Sequence, residues 1–343
     1  MKAIGNLSIF ITGAGGSIGS LLSLRIARLR PQQLTLLDSS EHALYRLRMF
    51  LEAENLCDRV TLLLGSVGDE LLLEETIQST SPDIIFHAAA HKHLPLLEEY
   101  ALAAIRNNTL ATNTLLRVAA EHKIRRTVLL STDKAASPTS VLGVTKHIAE
   151  IDTLCHGGIV VRLVNVLGSE GSVVPAFLRQ MAADQAIAIT HPGATRYFVT
   201  DEEAVDLLLT ASVEAPDATT LVPAVYESQS IVELAHFLRR QCTPSSSSTI
   251  RYIGLSAGEK QNESLWSRDE DALAESFHDC LRVIVRRRPM DGAGEMDGML
   301  ALLRMAVDTR NLPQAMNQIQ SLVPDYAPSR TVLQKVREHL EAR

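Results

Sequence analysis

The segment Thr12-Gly13-Ala14-Gly15-Gly16-Ser17-Ile18-Gly19 constrains this chain more than any other. It follows a short apolar run at 8–12 and opens an amphipathic stretch at 17–29. Glycines at 13, 16 and 19 serve three ends: a tight turn, close approach of a phosphate to the backbone, and close packing of helix on strand. A helix N-terminus at Ser17 and Ile18 offers free N–H groups and the positive end of a dipole to a pyrophosphate. Asp38 ends the second apolar run, 19 residues beyond Gly19. A carboxylate there can accept both hydroxyls of an adenosine ribose. A glycine turn without a ligand is the plainer alternative. The strand before it, the helix after it and the acid beyond it weigh against that alternative. Asp38 favours NAD, because it repels a 2′-phosphate; Ser39 and Ser40 leave NADP open.

The rest of the first half repeats this alternation. Apolar runs at 34–38, 60–64, 84–87, 127–131 and 159–163 read as strands. Amphipathic stretches at 41–54, 101–122 and 139–154 read as helices. The runs are continuously apolar, as expected when helices cover both faces of a sheet. The fold class is therefore α/β, a doubly wound parallel sheet of the Rossmann type. After residue 165 the pattern changes. Helices at 201–213 and 231–240, a strand at 220–222 and a polar loop at 243–249 follow, then helical stretches at 298–307, 313–322 and 329–340. The expected division is 1–165 for the dinucleotide, with 201–225 returning to it. Residues 166–200 and 226–290 form a smaller substrate domain, and 291–343 a helical tail.

Composition narrows the functional classes. The net charge of -7 offers no basic stripe for nucleic acid; Arg286-Arg287-Arg288 reads as a solvated cluster. Cys57, Cys155, Cys242 and Cys280 form no CxxC pair, so neither a disulfide framework nor a cysteine metal site is expected. His87, His91 and His93 lack a convincing fourth partner, and no metal is expected there either. No apolar stretch is long enough to span a bilayer, and no signal peptide precedes the first run, so the expectation is a cytoplasmic protein.

Two segments beyond the glycines match extended short-chain dehydrogenases/reductases. Ala88-Ala89-Ala90 follow the fourth apolar run, and Ser131-Thr132-Asp133-Lys134 end the fifth, with Lys146 on the next helix. HAAAHKHLPLLE (87–98), STDKAASPTSVLGVTKHIAE (131–150), NVLGSEGSVVP (165–175), THPGATRYFVT (190–200) and GLSAGEK (254–260) then occur in order. Together they resemble the CapD-like polysaccharide-biosynthesis proteins, UDP-N-acetylglucosamine 4,6-dehydratases of that superfamily. The likeness runs from residue 8 to about 268, with an echo at 322–326. Many members carry an N-terminal membrane region; this chain resembles the soluble catalytic part.

The resemblance implies a mechanism and a set of residues. The sugar is oxidised at C4, which acidifies the C5 proton; water leaves across C5 and C6, and hydride returns to C6. Asp133 is implied as the acid at the 6-hydroxyl and Lys134 as the base at C5. Thr132 is implied at the C4 oxygen, and Lys146 at the nicotinamide ribose. A lysine base needs a lowered pKa, which burial and Lys146 are expected to supply. The cofactor set adds Ser66, Val67 and Asn108. The substrate set is Lys92, Asn165, Val174, Arg179, Arg196 and Glu259, for a UDP-sugar. A homo-oligomer is implied as well.

Three departures matter. The superfamily tyrosine four residues before the helix lysine is Leu142 here, which cannot abstract the alcohol proton. The dehydratase branch includes members with methionine there, so Leu142 counts more against a 4-epimerase or reductase. The family reads Gly-Leu-Arg-Pro-Gly-Glu-Lys where this chain has Ser256 and Ala257, which removes an expected pyrophosphate arginine. Ser66 replaces an aspartate in the adenine loop. These departures keep a catalytically impaired cofactor-binding protein open as a rival.

Overall fold

The computed structural model describes residues 4–169, 171–224, 227–243, 248–286 and 292–341. Glu170, the loop residues 244–247, and Arg287 and Arg288 of the basic cluster lie outside the described residues. The expected strands form as β1 (Ser8–Thr12), β2 (Gln33–Asp38), β3 (Val60–Leu64), β4 (Ile84–His87), β5 (Arg126–Thr132) and β6 (Ile159–Leu163). One sheet orders them β3-β2-β1-β4-β5-β6, all parallel, and continues through Thr220–Pro223.

Every residue of β1 and β6 is buried, because helices cover both faces. Ile9 and Ile11 pack with Leu22 and Ile26 on one side; Phe10 and Ile85 pack with Leu73, Ile77 and Leu115 on the other. The strand order reverses between β1 and β4. In a doubly wound sheet, that reversal opens a crevice at the carboxyl ends of the strands.

Among the differences from the sequence reading, three stand out. A helix at Glu70–Thr80, capped by the Asp69 carboxylate accepting from Leu72 N–H, supplies the crossover from β3 to β4. Three successive leucines hid its period: Leu71 is exposed while Leu73 is buried. The stretch expected as one helix over 101–122 is Ala101–Ala104, a π-helical segment Ile105–Leu110, and Ala111–Glu121. Finally, Glu270–His278 and Leu281–Arg286 form an antiparallel hairpin on the far edge of the main sheet. Its charged residues gave no clear alternation.

Buried charges hold that hairpin. Arg162 on β6 is fully buried and donates to both carboxylate oxygens of Glu150 and of Glu270, at 2.7–2.9 Å. Ser131 Oγ donates to Glu150 at 2.6 Å, so the network reaches the residue before Thr132. Burial opposes charge on Glu270, but the Arg162 hydrogen bonds and charge outweigh it and hold that carboxyl at about 2. Its contribution is present above the ordinary carboxyl range and is lost as pH falls toward about 2.

The tail folds as Ala293–Asp308, Leu312–Leu322 and Arg330–Glu341. Met296, Leu300, Leu303 and Tyr326 pack with Leu142, Val144 and Ile148 of the helix Val141–Cys155. Buried Glu98 accepts from Val141 N–H and Ser329 Oγ, which ties the tail to the start of that helix. Among the described residues, no helix is long and apolar enough to cross a membrane.

Arg162→Met leaves Glu150 and Glu270 buried without their cation. It is expected to destabilise the fold by about 3–5 kcal/mol, read from urea denaturation.

Candidate active site

The crevice is built from three loops that the sheet order brings together. The first is the glycine turn after β1. Gly13 has φ +69, and a Cβ there would lie 2.5 Å from the backbone of Ala89. A Cβ on Gly19 would lie 1.9 Å from the carbonyl of Gly13. Both positions therefore require glycine. Gly16 caps the helix Ser17–Arg28 without a side-chain hydrogen bond, which leaves its first-turn N–H groups open. A cleft of about 400 Å³ lies there, lined by Gly15, Gly16, Ser17, Ile18, Arg46, Leu167 and Ser169 among others. Asp38 accepts from Gly15 N–H and Ser40 N–H, each at 2.9 Å. An uncapped helix start, a glycine-only turn and a carboxylate at the end of β2 fit a dinucleotide. Arg46 and residues 166–169 were not expected at the cleft. A larger hollow, about 600 Å³, lies beside Asp206 and Cys280, and none of the expected residues lines it.

The second loop follows β4. Asn108, in the π-helical segment, accepts from His91 N–H at 2.8 Å and donates to His91 carbonyl at 3.0 Å. It sets the course of Ala88-Ala89-Ala90. Lys92 Nζ donates to Ser17 Oγ at 2.9 Å and so reaches the open helix end. Thr112 donates its hydroxyl proton to Asn108 carbonyl, so His87 Nε2–H donates to Thr112, and in the neutral ring Nδ1 accepts from Thr12. Burial, with Lys146 nearby, lowers its pKa to about 3. Ser66 Oγ accepts from Gly68 N–H, and Val67 packs into the apolar face of the sheet.

The third loop follows β5. Asp133 is 1% exposed. Its Oδ1 accepts from Thr132 Oγ1 at 2.9 Å and from Lys134 Nζ at 3.0 Å; its Oδ2 has no partner among the described residues. A Cβ on Gly143 would lie 2.5 Å from Lys134 carbonyl, so the helix Val141–Cys155 lets this loop approach only through a glycine. Lys146 Nζ donates to Leu130 carbonyl at 2.8 Å, and burial lowers its pKa to about 8.

Lys134 corrects an expectation. Burial does pull its pKa down, but Asp133 and Glu263 more than offset that, and the pKa lies above the ordinary lysine value. Lys146 is not among its causes. In this state the pair is an ammonium against a carboxylate.

The substrate set is only partly gathered. Arg196 donates to Glu259 at 3.0 Å and to the carbonyls of Thr195, Lys260 and Gln261. It holds the 259–261 loop in place. Glu259 also accepts from Thr190 Oγ1 and Ser256 N–H. Asn165 Nδ2 donates to Tyr197 carbonyl at 3.1 Å. Val174 and Arg179 lie on the helix Val173–Ala182, where Val174 is partly packed and Arg179 is exposed. Sequence reasoning missed Glu263, which the same loop carries to 3.8 Å from Lys134, and Lys260, which lies 3.4 Å from Glu263. Their place one and four residues after Glu259 was the available signal.

The chain matches the family described as "Polysaccharide biosynthesis protein" over residues 9–285. It is 35% identical to the capsular polysaccharide biosynthesis protein CapD of Staphylococcus aureus over 279 residues, 78% of this chain and 46% of that one. It thus spans about half the length of that relative. It is 30% identical to the UDP-glucose 4-epimerase of Rickettsia rickettsii, over 83% of each chain. The solved structure of Pen from Bacillus thuringiensis superposes with a TM-score of 0.76 at 24% identity, covering 84% of this chain and 90% of Pen.

Gly143→Ala forces the Asp133–Lys134 loop away from the helix. A loss of about 1–3 kcal/mol in unfolding free energy is expected from this overpacking, measured by chemical denaturation.

Proposed function

The chain belongs to the polysaccharide biosynthesis protein family, and from that premise we propose that it is a nucleotide-sugar 4,6-dehydratase acting on UDP-N-acetylglucosamine or a related UDP-N-acetylhexosamine. The observation that carries this reading is Asp133. A carboxylate 1% exposed, with one oxygen bonded to an adjacent lysine and the other free, stands at the carboxyl end of a central strand beside the dinucleotide cradle. An elimination across C5 and C6 needs an acid and a base side by side.

The residues divide the work. The cradle of Gly13, Gly16, Ser17, Ile18 and Gly19 would hold the pyrophosphate of NAD, with Asp38 at the adenosine ribose, Ser66 and Val67 at the adenine, and Ala88–Ala90 beneath the rings. NADP is the lesser choice, because Asp38 opposes a 2′-phosphate. The dinucleotide, when bound, supplies hydride exchange with the sugar. Lys146 would hold the nicotinamide ribose and keep positive charge near C4. Thr132 would bond the C4 oxygen. Lys134 takes the C5 proton of the 4-keto sugar, and Asp133 gives a proton to O6 as water leaves. On this reading, residues 166–200 and 226–269 bind the UDP-sugar, with Lys92 and Glu259 as the nearest candidates, and the 270–286 hairpin serves the sheet.

A 4-epimerase is the second reading, favoured by the Rickettsia relative. It needs a proton acceptor where this chain has Leu142, which is 6% exposed and packed among the tail's apolar residues. No ionisable group replaces it at that position.

Incubating the protein with UDP-N-acetylglucosamine and catalytic NAD+ is expected to yield a product lighter by one water in mass spectrometry. A product of unchanged mass but inverted C4 would support the epimerase instead. Asp133→Asn and Lys134→Ala are each expected to slow water loss by about 100- to 10,000-fold. Turnover is expected to fall as pH rises through about 8, where Lys146 loses its charge; a profile flat through that value contradicts its assigned role.

A further inference from the structure

Lys134 has a second carboxylate beside it. Glu263 Oε1 lies 3.8 Å from its Nζ, and the Glu263 side chain is 2% exposed. Among the described residues the other oxygen, Oε2, accepts no hydrogen bond and lies 3.4 Å from Lys260 Nζ, which donates none. Burying two such groups with incomplete partners is costly.

The chain nonetheless delivers them there by a well-anchored path. Thr139 Oγ1 donates to Gly258 carbonyl, and Arg196 donates to Glu259 and to the carbonyls of Lys260 and Gln261. Gly258 has φ +73, and a Cβ there would lie 2.6 Å from Ser140 Cβ, so this loop is pressed against the start of the helix that follows Lys134. The backbone that carries Glu263 toward Lys134 is therefore anchored by the fold, and the Glu263 side chain is buried there.

We propose that Glu263 is a positioning residue, which orients the Lys134 amine beside Asp133 and balances the positive charge that Lys134 gains with the C5 proton. The proposal rests on the dehydratase reading. Its proton balance is closed. The resting ammonium–carboxylate pair becomes a neutral amine and acid when one proton moves along the 3.0 Å hydrogen bond from Lys134 to Asp133. In the elimination the C5–H bond breaks, and its proton goes to Lys134. Its electron pair forms the C5–C6 double bond, and the C6–O6 bond breaks. The Asp133 proton goes to O6, and water leaves. The pair ends as ammonium and carboxylate, as it began, with no proton drawn from solvent.

Charge thus appears at Lys134 during the step, and a fixed anion beside it lowers that cost. The charged groups facing Lys134 are Asp133, Glu263 and, opposing them, Arg196, itself paired with Glu259. Lys260 keeps Glu263 paired when Lys134 is neutral.

The test uses the full chain and two readouts. The first is the pH dependence of Lys134 carbamylation by cyanate, followed by peptide mass spectrometry, which needs no activity. Glu263→Gln is expected to lower the midpoint by about one unit or more, Glu263→Asp to restore part of it, and Lys260→Met to move it upward. The second readout is turnover of UDP-N-acetylglucosamine: Glu263→Gln is expected to lower kcat about tenfold or more with KM within about twofold. An unmoved midpoint in both Glu263→Gln and Lys260→Met overturns the proposal, as does an unchanged kcat in Glu263→Gln. If the variants show the midpoint shifts but wild type removes no water, the dehydratase reading fails and the catalytic role falls with it, while the charge coupling stands.

Discussion

A buried carboxylate and a lysine share one short hydrogen bond at the end of β5, and the chemistry assigned to this chain depends on it. Water cannot stabilise the Asp133 charge, so its partners must. Thr132 and Lys134 supply them on one oxygen, while the other has no partner among the described residues. Burial weakens the lysine's hold on its proton, but the neighbouring anions more than restore it, so the resting pair is an ammonium against a carboxylate.

The surrounding fold keeps that bond in place from several directions. Gly143 admits the loop, and Ser131 joins it to the buried Glu150–Arg162–Glu270 network. The 258–263 segment closes over it through Arg196, and the tail helices support the helix Val141–Cys155 from outside. The hairpin on the sheet edge and the tail, both distant in sequence from Asp133, thereby contribute to one small constellation.

Much of this was legible in the chain itself. The glycine spacing, the apolar runs and Asp38 depend on local backbone geometry, and local geometry is written in adjacent residues. Thr132-Asp133-Lys134 was legible through resemblance. The electrostatics of Lys134 were not, because they depend on Glu263, more than a hundred residues away. Arg196 belonged to the expected substrate set; only the fold shows it bonded to the 259–261 loop. The hairpin went unread because its pairing partner is the sheet edge. The helix Glu70–Thr80 went unread because three leucines in a row carry no period.

The most direct measurement is a crystal structure of the protein with NAD and a UDP-N-acetylhexosamine bound. The account predicts the unpartnered Oδ2 of Asp133 within hydrogen-bonding distance of the sugar's O6, and Lys134 Nζ directed at C5. A pyranose bound with those two groups turned away from C5 and O6, or lying on another face of the crevice, would contradict it.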